Sequence, residues 1–329
     1  MSARKLCILG AGPGGLRAAF EGLALGFEVT LVERDLVGGT CLNRGCIPTK
    51  QYLGGTASVP LLRASKAHKL AEGAIRPSLN ALKAKKDRFI RASRQAVEKQ
   101  LAATGARLLF AQGRVSAPGQ LEAITDQGAQ ICAWDTLIIA TGSHPAFFPG
   151  VAADHDCVLD STDVLELVEA PESLIVVGAG AIGLEMADFF SRLGTKIILV
   201  EGCARLAPAE DLELGESLRK FYAREGWEIH TGRNVVALAT QSGKAVLRFA
   251  DGEKLCAAKA LLAVGRRPNS TGLGLERLGL DQEPGWLPVD EFLRLAISLW
   301  YLKSGRWIKP VTDEGRASLT EFRALMKMR

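Results

Sequence analysis

The chain has 329 residues, of which 47% are hydrophobic and 23% are charged. This length is typical of two domains rather than one, and the composition excludes an intrinsically disordered chain. The formal net charge is +5, but residues 296–329 alone hold seven Lys or Arg against three Asp or Glu, so the body of the protein is nearly neutral and we expect no nucleic-acid partner.

The sequence offers no membrane or secretion signal. No apolar run approaches the ~20 residues that a membrane-spanning helix needs. The seven cysteines are odd in number and scattered, unlike the disulfide framework of a small secreted protein. Residues 1–5 lead directly into an apolar run, which leaves no length for a signal peptide. We therefore expect a cytoplasmic protein without a membrane segment.

The first predicted element is an apolar strand that leads into a G-x-G-x-x-G motif. The glycines of this motif are Gly10, Gly12 and Gly15. A helix over 16–25 follows, and a second strand over 28–32 ends at Glu33. In such a unit the glycines allow a tight turn, close approach of a pyrophosphate and close helix packing, while the acidic residue binds a ribose hydroxyl. The pattern therefore predicts a dinucleotide-binding unit.

A cysteine pair follows in the string GGTCLNRGCIPTK, residues 38–50. If Cys41 lies near a helix start, Cys41 and Cys46 fall on one side of the first turns, within bridging reach. A helix N-terminus also favours the thiolate, which is the reactive form of cysteine. The spacing alone leaves two interpretations open, a redox-active pair or two cysteines without a joint role.

A long charged helix is predicted over roughly 77–103, and its lysine run at 83–86 is typical of a solvated helix face. The five remaining cysteines have no partner motif, which favours simple packing roles. The four histidines show neither metal-ligand spacing nor a nucleophile motif. We therefore predict no metal site.

The dinucleotide-binding unit then recurs. Its glycines are Gly178, Gly180 and Gly183. A helix over 184–193 and a strand over 196–200 follow, and the strand ends at Glu201. In both units 23 positions separate the first glycine from the glutamate. Two units predict two bound dinucleotides, and a carboxylate at Glu201 repels the 2′-phosphate of NADP, so we expect the second site to prefer NAD.

The cysteine string and the units around it resemble the class I pyridine nucleotide-disulfide oxidoreductases, and within that family the dihydrolipoamide dehydrogenases. The segments IIATGSHP (138–145), LAVGRRPN (262–269) and VDEFLR (289–294) resemble further motifs of the family. The resemblance covers roughly residues 4–294. It implies an α/β fold with two Rossmann-like dinucleotide-binding domains, one for FAD and one for NAD.

The resemblance also implies the domain limits. An FAD-binding domain over 1–145 would include a helical excursion at 50–103, and an NAD-binding domain would occupy 146–266. Residues 267–294 would return toward the FAD-binding domain. Residues 295–329 form an atypical tail that the resemblance does not cover.

The roles of four residues follow from the resemblance. Cys41 would be the interchange thiol that reacts with the substrate, and Cys46 the charge-transfer thiol beside the flavin. Lys50 would lie near flavin N5 and pair with Glu185. A cation at this position stabilises reduced flavin, and a carboxylate supplies its counter-charge.

The resemblance further implies two sets of cofactor contacts. The FAD contacts would be Gly10, Gly12, Gly15, Glu33, Gly39, Thr40, Lys50, Gly113, Thr141 and Gly142. The NAD contacts would be Gly178, Gly180, Gly183, Glu201, Val235 and Gly265.

The sequence departs from the family at its C-terminal end. After a segment like VDEFLR the family continues with a second FAD motif and a dimer-interface domain of about 100 residues, which supplies a His-Glu pair as the general base. Neither feature is recognisable here. We hypothesise a truncated or frameshifted product, with a natural short form as the alternative. The family is homodimeric, but this chain would lack the interface domain.

The predicted function is electron transfer between a dihydrolipoamide or lipoyl-domain substrate, the Cys41–Cys46 disulfide, FAD and NAD. Without the His-Glu base, we expect little or no lipoamide turnover and NADH-dependent reduction of artificial acceptors. One alternative is a degenerate nucleotide-binding or redox-sensing relative without turnover. Another is an enzyme like glutathione or mercuric reductase, which Glu201 disfavours because those enzymes usually use NADP.

Overall fold

The structure is a computed structural model that describes residues 3–70, 72, 77–280, 285–287, 289, 293 and 294. The predicted tail at 295–329 lies outside these residues. The chain separates into two compact units. Unit 1 comprises the described parts of 1–41, 93–144 and 267–329, and unit 2 comprises those of 42–92 and 145–266.

The described residues form seven α-helices and seventeen β-strands. The helices are α1 (Pro13–Ala24), α2 (Gly39–Arg44), α3 (Cys46–Gly55), α4 (Ser58–Ala67), α5 (Leu79–Ala103), α6 (Ala181–Leu193) and α7 (Leu212–Arg224). The strands up to residue 145 are β1 (Lys5–Leu9), β2 (Glu28–Glu33), β3 (Arg107–Phe110), β4 (Gln112–Ala117), β5 (Gln120–Thr125), β6 (Gly128–Ala133), β7 (Thr136–Ile139) and β8 (Ser143–Pro145). The later strands are β9 (Val158–Leu159), β10 (Ser173–Val177), β11 (Lys196–Glu201), β12 (Glu228–Thr231), β13 (Val235–Gln241), β14 (Lys244–Phe249), β15 (Lys254–Ala257), β16 (Lys259–Leu262) and β17 (Arg266–Pro268). None of the described helices combines the length and the apolar character needed to cross a membrane.

Unit 1 is built on a parallel sheet in the strand order β3-β2-β1-β7. Strand β1 is apolar without interruption from Leu6 to Leu9, as expected for a strand that is covered on both faces. Leu6, Ile8 and Leu31 pack with Ala19 of α1 in one buried cluster. The unit also contains a three-stranded antiparallel sheet, β4-β5-β6.

Unit 2 repeats this plan with a parallel sheet in the order β12-β11-β10-β16-β9. Leu174, Leu199 and Leu261 of the sheet pack with Phe189 and Phe190 of α6 in its largest buried cluster. An antiparallel meander, β13-β14-β15, follows. The predicted α/β fold with two dinucleotide-binding folds is thus confirmed, since β1-α1-β2 and β10-α6-β11 are the same strand-helix-strand unit.

Most of the helical excursion belongs to a different unit from the one expected from the sequence. The resemblance assigned residues 50–103 to the first domain, but contacts place 42–92 in unit 2. The physical reason is burial, because Tyr52 of α3 and Leu79 of α5 lie in the same apolar cluster as Phe189. The excursion also begins earlier than expected, since α3 starts at Cys46.

The third glycine of each motif is required by packing. A Cβ on Gly15 would come within 1.9 Å of the Gly10 carbonyl oxygen, and a Cβ on Gly183 would come equally close to that of Gly178. A side chain at either position would push the helix away from the preceding strand. By contrast, a Cβ on Gly180 would meet nothing within 4 Å.

This contrast predicts that two alanine variants of the second motif differ in stability. Gly183→Ala should lower the free energy of unfolding by about 1–3 kcal/mol, the usual cost of overpacking. Gly180→Ala is the matched control and should unfold like the wild type in a thermal or denaturant melt. Equal stability of the two variants would contradict the packing described here.

Candidate functional site

Glu33 fixes the glycine-rich loop of unit 1. Its buried carboxylate accepts a hydrogen bond from the backbone N–H of Ala11, at 2.7 Å, and another from that of Asp35, at 2.9 Å. A carboxylate has about four lone-pair sites, so these two bonds leave capacity for a further donor. Glu33 therefore holds the loop and remains able to accept a ribose hydroxyl.

Glu201 makes the same two contacts in unit 2. Its buried carboxylate accepts from the backbone N–H of Ala179, at 2.7 Å, and from that of Cys203, at 2.8 Å. The equal spacing seen in the sequence is thus an equal geometry in the structure. A carboxylate at this position repels a 2′-phosphate and accepts a hydrogen bond from a free 2′-hydroxyl.

The second glycine of each motif leaves the backbone open to a ligand. A Cβ on Gly12 would lie 3.9 Å from the Cα of Gly39, so these two glycines border a narrow backbone cradle in unit 1. Gly180, the N-cap of α6, borders open space in unit 2. Both positions precede a helix whose first N–H groups have no partner within the helix, which is the arrangement that binds phosphate.

The two cysteines of the predicted pair lie on successive helices. Cys41 is the third residue of α2 and is half-buried, whereas Cys46 is the first residue of α3 and is exposed. The condition considered from the sequence, one helix that includes both cysteines, is not met, because the chain leaves helical geometry at Gly45 (φ −142°, ψ −115°). Cys46 consequently lies at the positive end of α3.

Lys50 and Glu185 form the ion pair that the resemblance implies. Lys50 lies one turn after Cys46 on α3, and its Nζ is 2.5 Å from Oε1 of Glu185 on α6. The Lys50 side chain is 58% exposed and that of Glu185 is 36% exposed, so both members of the pair are open to solvent. The structure thus joins two residues that are 135 positions apart.

A residue that sequence reasoning missed holds the turn at Thr141 and Gly142 in unit 1. The side-chain amide of Asn269 donates to the Thr141 carbonyl at 2.8 Å, and its backbone N–H donates to the Gly142 carbonyl at 2.9 Å. The Thr141 hydroxyl donates to the Asn269 carbonyl at 2.8 Å. The string LAVGRRPN contained this signal, but only the contacts identify Asn269 as the residue that fixes the turn.

The remaining predicted cofactor contacts occupy varied positions. Thr40 is exposed on α2, Val235 is half-buried at the start of β13, and Gly265 is exposed with φ +118°. Gly113 has a packing role as well, because a Cβ there would come within 2.3 Å of Leu9. Their roles as cofactor contacts stay predictions.

Three further cysteines, Cys7, Cys132 and Cys203, are poorly suited to redox chemistry. Burial, reinforced by the neighbouring Cys132, raises the pKa of Cys7 to about 12. Burial also raises the pKa of Cys132, and a hydrogen bond to Glu201 raises that of Cys203. All three thiols therefore keep their protons near neutral pH, and the thiolate is the reactive form.

One group of potential metal-ligating atoms occurs among the described residues. Donor atoms of His155, Asp160 and Asp163 lie within 4.8 Å of one another. Internal hydrogen bonds account for the cluster, since Asp160 accepts from the N–H groups of Thr162 and Asp163 while Asp163 contacts His155. We therefore assign these residues the role of holding the turn at Asp163–Leu165.

Comparison with known proteins gives a consistent result. Residues 4–300 match the family model described as pyridine nucleotide-disulphide oxidoreductase. Dihydrolipoyl dehydrogenase 3 of Pseudomonas aeruginosa is 38% identical over 292 residues, and dihydrolipoyl dehydrogenase of Thermus scotoductus is 37% identical over 300 residues. These matches cover 85% and 88% of this chain but 62% and 63% of the relatives, so the chain spans less than two thirds of their length.

Solved structures with the same fold include LpdA from Mycobacterium tuberculosis, with a TM-score of 0.82 and 24% identity over 94% of this chain and 74% of that one. The HOCl-induced flavoprotein disulfide reductase RclA from Escherichia coli has a TM-score of 0.76 and 24% identity, covering 88% of this chain and 63% of that one. At this identity the likeness concerns the fold alone.

The equivalence of Glu33 and Glu201 provides a paired test. Glu201→Gln keeps an acceptor for the loop but removes the charge, so NADH should bind about tenfold more weakly, as expected for the loss of a charge-assisted hydrogen bond. The preference for NADH over NADPH should shrink as well. Calorimetric titration of the full chain measures both.

Glu33→Gln is the matched control, because the same change is made in unit 1. It should leave the affinity for NADH unchanged. A wild-type affinity in Glu201→Gln, or an equal loss in Glu33→Gln, would contradict the assignment of NAD to unit 2.

Proposed function

Because the chain belongs to the pyridine nucleotide-disulphide oxidoreductase family, we propose that it is an FAD-dependent disulfide oxidoreductase. Enzymes of this family use FAD and NAD(H). Electrons would pass between a dihydrolipoamide-type dithiol, the Cys41–Cys46 disulfide, FAD and NAD. The observation that carries the proposal is the Lys50–Glu185 ion pair, one helical turn from Cys46.

The residues of unit 1 are compatible with FAD. Gly12 and Gly39 border a backbone cradle that any side chain would narrow, which suits a pyrophosphate. The buried Glu33 carboxylate keeps a free acceptor for the adenosine ribose. Bound FAD would supply a two-electron carrier between NADH and a disulfide.

The cysteines would perform the thiol–disulfide exchange. A substrate thiolate attacks the Cys41 sulfur of the Cys41–Cys46 disulfide, which forms a mixed disulfide and releases Cys46 as a thiolate. The second substrate thiolate then attacks the substrate sulfur and releases Cys41. The substrate leaves as a disulfide, and two electrons remain on the cysteine pair. The positive end of α3 stabilises negative charge on Cys46.

Lys50 and Glu185 would adjust the electrostatics of this step. The Glu185 carboxylate holds the Lys50 ammonium in one direction through the 2.5 Å contact. A fixed cation there favours added electron density on a neighbouring acceptor. The pair therefore supports a catalytic role rather than a degenerate nucleotide-binding protein.

The similar proteins and the cofactor preference indicate the substrate of the reaction. The names of the relatives point to a dihydrolipoyl substrate, which is a small dithiol or a lipoyl domain. The buried Glu201 carboxylate favours NAD, and therefore disfavours a glutathione or mercuric reductase that uses NADP. We place the reaction in the cytoplasm, where the scattered cysteines are expected to stay reduced.

Single serine variants test the two cysteine roles by absorbance of the FAD-loaded chain. Cys41→Ser prevents the disulfide and leaves Cys46 as a permanent thiol or thiolate, so a long-wavelength thiolate–flavin band should appear without NADH. Cys46→Ser should lack this band before and after NADH. The wild type should develop it only on reduction.

Cys203→Ser is the control, because this cysteine has no assigned role in the exchange. It should behave like the wild type. Identical spectra for all three serine variants would contradict the proposed use of Cys41 and Cys46.

A further inference from the structure

A single carbonyl group joins three elements of unit 2. The carbonyl oxygen of Leu165 accepts a hydrogen bond from the Tyr52 hydroxyl of α3 at 2.8 Å. It also accepts one from the ammonium of Lys86 on α5 at 2.9 Å. Both donor side chains are fully buried, with exposures of 0% for Tyr52 and 1% for Lys86. Leu165 thus connects α3, α5 and the turn at Asp163–Leu165.

The charge of Lys86 is balanced within the same cluster. Its ammonium lies 2.7 Å from a Glu166 carboxylate oxygen and 3.0 Å from one of Asp87. Burial alone would raise the pKa of Glu166, but hydrogen bonds from Lys83 and Lys86 hold it below its ordinary value. Lys86 is the buried member of this cluster, whereas the Glu166 side chain is 55% exposed. Removal of a carboxylate partner would leave the buried ammonium with less compensating charge, so the cluster is sensitive to substitution.

Tyr52 connects this cluster to the site. It lies two residues after Lys50 on α3, and its ring stacks on Phe189 of α6 with centroids 4.6 Å apart and planes 5° apart. Phe189 lies one turn after Glu185 on α6. The Arg192 guanidinium, also of α6, donates to the Leu53 carbonyl at 3.1 Å. Together with the Lys50–Glu185 ion pair, these contacts fix α3 against about two turns of α6.

The hydroxyl of Tyr52 is a dependable donor. Burial, with the negative charges of Glu166 and Asp87, raises the pKa of Tyr52. The phenol therefore keeps its proton near neutral pH, so its bond to Leu165 is maintained there. The ring is fixed at one end by this bond and along its face by Phe189.

We propose that Tyr52 and Lys86 are positioning residues, which set the direction of α3 and thereby the placement of Lys50 and Cys46. This inference rests on the proposed function, since the positioned groups are those that would act on the flavin and the disulfide. Neither residue touches the reacting atoms. They act through the Leu165 carbonyl and the Phe189 ring.

The two lysines of the cluster provide a matched pair for the experiment. Lys86→Met removes the ammonium that contacts the Leu165 carbonyl. Lys83→Met removes the other positive charge that pairs with the carboxylates of Asp87 and Glu166. Within the described residues, Lys83 contacts Asp87 and Glu166 but not the Leu165 carbonyl. Tyr52→Phe keeps the ring stacked on Phe189 and removes only the hydroxyl.

The measurements are the thiolate–flavin band of the NADH-reduced, FAD-loaded chain and the rate of its formation in rapid mixing. Lys86→Met should form the band about tenfold more slowly, as expected for a small misplacement of reacting groups, and with lower intensity. Tyr52→Phe should show a smaller loss of the same kind. Lys83→Met should match the wild type in both.

A merely structural role would lower the melting temperature of Lys86→Met but leave the band of its folded fraction unchanged, and this result would overturn the inference. Equal behaviour of Lys86→Met and Lys83→Met would overturn it as well. Absence of the band in the wild type would instead contradict the proposed function, so the two failures are distinguishable.

Discussion

The contact between Lys50 and Glu185 is the interaction on which the functional arrangement depends. It joins the helix that begins at Cys46 to the helix that follows the second glycine-rich loop. The helix α6 is itself set by Gly183, where only hydrogen fits beneath the Gly178 carbonyl. Packing of a glycine against a strand thus determines where a charged pair lies, 2.5 Å apart and one helical turn from Cys46.

The two units hold their glycine-rich loops by the same contact. A glycine-rich loop exposes backbone N–H groups, and a buried glutamate at the end of the next strand accepts a bond from the loop, through Ala11 in unit 1 and Ala179 in unit 2. The same carboxylate that stabilises the loop also has the charge that favours a ribose hydroxyl over a phosphate. In the proposed function, the stability of each loop and its cofactor preference would therefore both depend on the same carboxylate, Glu33 in unit 1 and Glu201 in unit 2.

Much of this was accessible from the sequence because it is encoded locally. The glycine loop, the helix and the glutamate follow one another within 23 positions in both units, and the cysteine string lies in 13 consecutive residues. Contacts without a local pattern were missed. Tyr52 and Leu165 are 113 positions apart, and Asn269 contacts Thr141 from 128 positions away. The lysine run at 83–86 is typical of a solvated face, but Lys86 is buried. The break at Gly45 was missed because glycine permits several backbone conformations.

The most direct test is a thiol count on the full FAD-loaded chain, denatured without oxygen before and after addition of NADH. The chain has seven cysteines, so one Cys41–Cys46 disulfide leaves five titratable thiols. We expect five thiols before NADH and seven afterwards. The Cys41→Ser variant cannot form the disulfide, so NADH should not change its thiol count. A count that NADH does not alter, in protein that retains FAD, would contradict electron transfer to this pair.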